Sequence, residues 1–166
     1  MNDPVEALLL PDLVREISSS APQVSVMSSF VGRHDPATEM SAGNVDLGVD
    51  VFVPNDDRLM KRELLTESYV CLVRRGHPLA KGELSLEDYL SLSHIHVSAR
   101  RHGVGYIDGT LVEEGLKREI RLRTRNMELA ASIVKATDYS MTVPDHFAKH
   151  YDLQAIKLPF PVTNLV

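Results

Sequence analysis

An α/β fold with largely parallel sheets is what this sequence predicts, and three features predict it. Stretches of strand character alternate with stretches of helical period along the chain. Hairpin signals, such as Asn-Gly between two alternating runs, are nearly absent. Near mid-chain, an apolar run gives way to a polar, glycine-containing exit and then to a fresh helix cap.

Each element has its own justification. Asp3 is a capping residue and Pro4 suits the first helical position, so a helix starts at once. Leu8, Leu9, Leu13 and Ile17 share one of its faces, and 18–22 ends it. Val24 and Val26 alternate with Ser25, which predicts a strand to about Ser28. A loop over 30–35 leads to a short helix over 36–42, stopped by Gly43. Strands are expected over 46–51 and 59–65, around a polar loop at 54–57. Val70, Cys71, Leu72 and Val73 form a short apolar run that reads as a buried strand. Gly76, Pro78 and Gly82 mark the loop that follows. Ser85 with Asp88 three residues on is a helix N-cap signature. The remainder predicts a strand at 95–98, a basic loop at 100–105 and a helix at 106–114 ended by Gly115. A strand at 120–123, a helix at 127–135 and a strand at 139–143 follow. Pro144 opens a helix toward His150, and 153–158 is the last strand. The break at 74–82 reads either as a crossover between two lobes or as a strand–loop–helix within one domain.

Composition bounds the function. The 166 residues are 43% hydrophobic and 25% charged, which is globular, and suffice for one ordinary domain or two small lobes. A net charge of −5 argues against a self-sufficient nucleic-acid-binding domain. Cys71 is the lone cysteine, so no internal disulfide can form, which fits a reducing compartment. No apolar run approaches the roughly 20 residues of a membrane span, and the N-terminus lacks a signal peptide's basic start. A cytoplasmic location is expected.

Catalytic and metal chemistry find little support. His34, His77, His94, His96, His102, His146 and His150 form neither HExxH nor a Cys–His pattern. His94 and His96 are spaced as strand neighbours on one face, and His146 and His150 lie one helical turn apart. That last pair has the spacing of a metal chelate, but also that of ordinary surface residues. No serine sits in GxSxG. Gly103-Val104-Gly105 has Asp108 where a phosphate loop would need a further glycine, so turn residues are the better reading. No cofactor, metal or catalytic residue is expected. A ligand cleft is better supported, because open α/β sheets bind ligands beyond the carboxyl ends of their strands. The chain offers such ends at Asn2-Asp3, at 28–33, at 98–103 and at 124–127.

Four segments, in order, carry a family resemblance. They are "LLLPDLVREISSSAPQVSV" from Leu8, "MSAGNVDLGV" from Met40, "RRGHPLA" followed by "LSLEDY" from Arg74 and "ATDYSMTVPDHFA" from Ala136. Together they resemble the effector-binding domain of the LysR-type transcriptional regulators. A further segment, "HVSARRHGVGYIDGTLVEEGLKREIRL" from His96, resembles the branch that includes regulators of nodulation and of aromatic-compound breakdown. The resemblance implies a two-lobed fold like that of type 2 periplasmic binding proteins, truncated at both ends. Lobe one is then expected over 1–73 plus 147–166 and lobe two over 74–146.

The same resemblance implies a small-molecule effector, anionic or aromatic, held between the lobes, and no enzyme. His102-Gly103 matches an "HG" that this branch presents to its effector. Asn126 stands where many aromatic-sensing relatives have a histidine, which favours a polar ligand group over a bare aromatic edge. Asn2 replaces the usual serine or threonine at the first helix, and Ser29 and Phe30 fall in a loop where polar and aromatic contacts occur. Arg33, Arg100 and Arg101 are spare cations near that cleft. A dimer is implied, a tetramer at full length, with DNA bound only through a missing N-terminal winged helix-turn-helix. A solute-binding protein of a transport system shares the fold and is the alternative; an enzyme on that fold is a third.

Overall fold

The computed structural model describes residues 3–29, 36–49, 56–64, 66, 68–98 and 105–162. Its contacts separate two compact units, Met1–Leu64 and Leu65–Val166.

The first unit holds helix α1, Asp3–Ser20, and helix α2, Pro36–Ser41. Pro11 lies inside α1, where it supplies no N–H to the helical ladder. Ile17 is half-buried, whereas Leu13 and Val14 are exposed. Gly43 ends α2 at a φ of 73°. Its N–H reaches the Met40 carbonyl at 3.1 Å and the Asn44 N–H reaches that of Glu39 at 3.0 Å, the paired bonds of a left-handed helix stop. The strands expected near 24–28, over 46–51 and over 59–65 are not formed among their described residues. β-branched and apolar residues make a strand only where a neighbour pairs with its backbone and covers one face. Here Met27, Leu47 and Met60 are 87%, 83% and 102% exposed.

The second unit is built on one mixed sheet. Its strands are β1 (Tyr69–Val73), β2 (Ser93–Val97), β3 (Glu119–Thr124), β4 (Tyr139–Pro144) and β5 (Gln154–Lys157), in the order β3-β2-β4-β1-β5. β2 runs parallel to β3 and β4, while β1 is antiparallel to both β4 and β5. Four strands therefore share one direction, and central β1 is reversed, where a largely parallel sheet was expected. Helices α4 (Tyr106–Glu113), α5 (Met127–Ala136) and α6 (Asp145–Ala148) cross between the like-directed strands. Helix α3, Leu86–Ser91, leads from β1 to β2 and is capped by Ser85, whose hydroxyl accepts from the Asp88 N–H at 3.0 Å.

This pairing corrects the expected lobe boundaries. Val70 pairs with Lys157 and with Val143, so β1 and β5 belong to the sheet of β2–β4 and not to a separate lobe. The division falls at 64/65 instead of 73/74. The glycine-rich exit after β1 turns the chain within the sheet; it does not carry it between units.

The core explains why β1 is apolar throughout. Cys71, Leu72 and Val73 are all fully buried. Successive side chains on a strand point to opposite faces, so both faces of β1 must be covered. Cys71 and Val73 pack with Leu84, Tyr89, Leu92, Ile107, Leu111 and Ile156. α5 and α6 also pack against β1 and bury Met127, Ala130, Val134 and Phe147.

Candidate functional site

The direction of the strands makes one edge of this sheet different from the other. At that edge β2, β3 and β4 end, and α4, α5 and α6 begin. Helix N-termini present backbone N–H groups and partial positive charge, so the edge favours hydrogen-bond acceptors and anions. The Ser98 N–H donates to the Thr124 carbonyl at 2.8 Å and ties the ends of β2 and β3 together. Asn126 caps α5, its side-chain carbonyl accepting from the Leu129 N–H at 2.8 Å. Its side-chain carbonyl is thus engaged with the helix, and the residue is exposed, its amide NH2 being the remaining side-chain donor.

Beside this edge lies a cavity of about 90 Å³ lined by Tyr69, His96, Val97, Tyr106, Arg118 and Thr142, with Ile95 and Ile107. Ligand pockets are usually ~300–1,000 Å³, so this space suits one functional group. The Tyr69 and Tyr106 rings stack with centroids 5.7 Å apart.

A charged cluster forms the wall. Arg118 is buried, and its Nε and NH2 donate to the two oxygens of Asp108 at 2.6 and 3.3 Å. Its NH1 donates to the Tyr89 hydroxyl at 3.2 Å and to Thr142 Oγ1 at 3.3 Å. His96 Nδ1 lies 3.4 Å from Asp108 Oδ2. Burial alone would raise the Asp108 carboxyl, but the hydrogen bonds from His96 and Arg118 outweigh it and hold the group well below the usual carboxylate range. Gly105, the residue before α4, makes the approach of His96 possible. A Cβ there would stand 2.3 Å from His96 Cε1 and 2.9 Å from Asp108 Oδ2. Its φ of −70° is ordinary, so space and not backbone conformation demands glycine.

Deeper in, His94 is fully buried. Its Nε2 lies 2.8 Å from the Tyr89 carbonyl and its Nδ1 3.0 Å from Ser140 Oγ. A carbonyl can only accept, so Nε2 carries the proton and Ser140 donates to Nδ1. Burial, then the charge of Arg118, lowers this histidine to about 4. Burial pushes the Cys71 thiol up to about 12, so it is a core residue without thiolate chemistry.

Of the sequence-predicted site residues, Asn2, Phe30 and His102 lie outside the described residues, as do Arg33, Arg100 and Arg101. Ser29 is exposed in the first unit, and Asn126 sits at the carboxyl edge of the second. His146 and His150 have ring centroids 6.1 Å apart. Among the described residues, no group of three or more His, Cys, Asp or Glu side chains could hold a metal ion. Sequence reasoning missed Tyr69, Tyr106, Asp108, Arg118 and Thr142. One signal was available: His94 and His96, alternating with the apolar Ile95 and Val97, demand buried polar partners if that strand is covered.

Comparison with known proteins gives the class of this fold. Residues 1–165 match the family model described as the LysR substrate binding domain. The chain belongs to that family, and its α/β fold is that of LysR regulatory domains, which resemble periplasmic binding proteins. It is 31% identical over 164 residues to the HTH-type transcriptional activator NagR of Ralstonia sp, covering 99% of this chain and 53% of the relative. It is 27% identical to nodulation protein D 2 of Sinorhizobium fredii, covering 96% of this chain and 52% of the relative. The chain thus spans about half the length of these curated relatives. A solved structure of a probable transcriptional regulator from Pseudomonas aeruginosa superposes with a TM-score of 0.83 at 28% identity, over 99% of this chain and 57% of the other. The effector binding domain of QuiR in complex with shikimate shares the fold at a TM-score of 0.70 and 20% identity, over 98% and 80%. The family is one of transcriptional regulators, and no helix among the described residues is long and apolar enough to cross a membrane.

Proposed function

We propose that this chain senses a small anionic or hydrogen-bonding molecule for a LysR-type regulator and passes that signal to a DNA-binding part of the whole protein. The observation that carries the reading is the match of 1–165 to the family's ligand-binding domain, together with 31% identity to a transcriptional activator over 99% of the chain. The carboxyl edge described above supports it, since three helix starts and Asn126 converge there. Asn2, Ser29, Phe30, His102 and Asn126 are the proposed effector contacts. A ligand can act this way only by binding two arrangements of the protein with different affinity. The whole protein would act as a dimer or tetramer in the cytoplasm and contact DNA through a winged helix-turn-helix.

The test is a thermal-shift screen of the purified chain against small organic acids, alcohols and amides, followed by titration of His102→Ala and Asn126→Ala with each hit. Losing one buried hydrogen bond should weaken binding about 5- to 150-fold. Hits that bind both variants as tightly as the parent would place the site elsewhere. The acidic chain alone should give no sequence-specific shift of duplex DNA, and sedimentation at micromolar concentration should show a dimer.

A further inference from the structure

We propose that His96 makes ligand binding proton-coupled: a carboxylate entering the cavity beside Arg118 binds together with one proton, taken up at His96. This rests on the effector reading and names the ligand group and its regulation.

The geometry points to His96 for three independent reasons. The ring lies against Gly105, at a distance that any Cβ would prevent, so its position is built and not incidental. Its Nδ1 faces Asp108 at 3.4 Å, which favours the tautomer with hydrogen on Nδ1 and leaves Nε2 to take the second proton. Its side chain is only 10% exposed and it lines the cavity, so a charge gained there is felt across a poorly screened space.

The charges around the ring decide the sign. Asp108, in the first turn of α4, is matched by Arg118, which grips both of its oxygens. That pair sums to zero. Tyr69 from β1 and Tyr106 from α4 are neutral, and Thr142 from β4 adds a hydroxyl. Arg123 of β3 is the register partner of His96 but is itself exposed, where water screens it. Among the described residues around the cavity the charges sum to zero with His96 neutral and to one positive charge with His96 protonated. An anion in the cavity therefore favours the imidazolium, and by linkage the imidazolium favours the anion. The proton comes from solvent and returns to it when the ligand leaves, so no co-reactant is needed.

The experiment is calorimetric titration of the purified chain with acetate, benzoate, shikimate and inorganic phosphate, each at pH 6, 7 and 8, in buffers of different ionisation enthalpy. At least one carboxylate should bind with heats that change with buffer, reporting uptake of up to one proton. Its affinity should fall by up to about tenfold per pH unit toward pH 8. His96→Gln should bind it with an affinity and heat that no longer depend on pH or buffer. Because that variant could fail to fold, the His96 ring signals of the wild-type chain are followed by NMR: added carboxylate should move their titration to higher pH. A carboxylate that binds with no proton uptake overturns the proposal and leaves the effector reading intact. Binding of phosphate but no carboxylate overturns the ligand class. If no carboxylate binds at any of the three pH values, the proposal is likewise wrong, while hits among alcohols or amides in the thermal screen would still uphold an effector site.

Discussion

The two units of this chain have similar apolar vocabularies and very different outcomes. In the second, Tyr69, Val70, Cys71, Leu72 and Val73 become a central strand with neighbours on both sides. In the first, the described residues around Val24, Val26 and Met27 form no strand, although their alternation is better. Val24 is 56% exposed, whereas Leu72 is fully buried. The difference teaches that alternation and β-propensity are permissions; pairing and cover decide.

Leu72→Ala should give the largest effect, about 2–5 kcal/mol of lost stability, because the side chain is fully buried between covered faces. Urea unfolding followed by circular dichroism measures it. A cost under about 1 kcal/mol would mean that β1 is not the packed centre of the sheet.

The acid sensitivity of the second unit comes next. His94 is held neutral in the folded state at about 4, below the ordinary 6.5. The unfolded chain therefore binds the proton first, so stability is complete above about pH 6.5 and falls as the pH drops toward 4. The loss amounts to about 3 kcal/mol. Asp108, whose folded value is lowered, loses its contribution in a lower window, below its ordinary 3.8. Comparing urea midpoints at pH 7 and pH 4.5 for the parent and for His94→Gln should show a smaller fall in the variant. Equal falls would assign the acid sensitivity to other groups.

Helix caps give a finer comparison within the second unit. Asn126→Ala and Ser85→Ala each remove a side-chain acceptor from a helix start, and each should cost about 1 kcal/mol. Thermal melts would show this. If only Asn126→Ala also weakens effector binding, that residue has a role beyond the cap, and titrations should be run well below both melting temperatures.

The smallest effect belongs to the first unit. Val24→Ser should change stability by less than about 0.5 kcal/mol, because the side chain is already mostly in water. A loss above 1 kcal/mol would show that this stretch is covered in solution.

Local chemistry was readable where the signal is short-range. Ser85 and Asn126 sit where helices begin, and Gly43 and Gly115 stop helices at φ of 73° and 71°. A cap or stop depends on a few adjacent residues, so the chain alone specifies it. The family was legible too, because its four segments recur in order along the chain. The reversed direction of β1 was not legible, since no residue records which strand will lie beside it. The same holds for the pairing of Val70 with Lys157, which moved the expected boundary. The candidate site divides along the same line. Asn126 was named from the sequence through the family resemblance, at a strand end; that its side chain caps α5 came from the structure. Arg118 drew no attention in the sequence, yet it is buried, because Asp108, Tyr89 and Thr142 come from three other elements to satisfy its guanidinium. Sequence by itself determined what each segment prefers and which family it belongs to. Tertiary structure decided which strands pair, which apolar residues are covered, and which charge is taken out of water, because these depend on contacts between residues far apart in the chain.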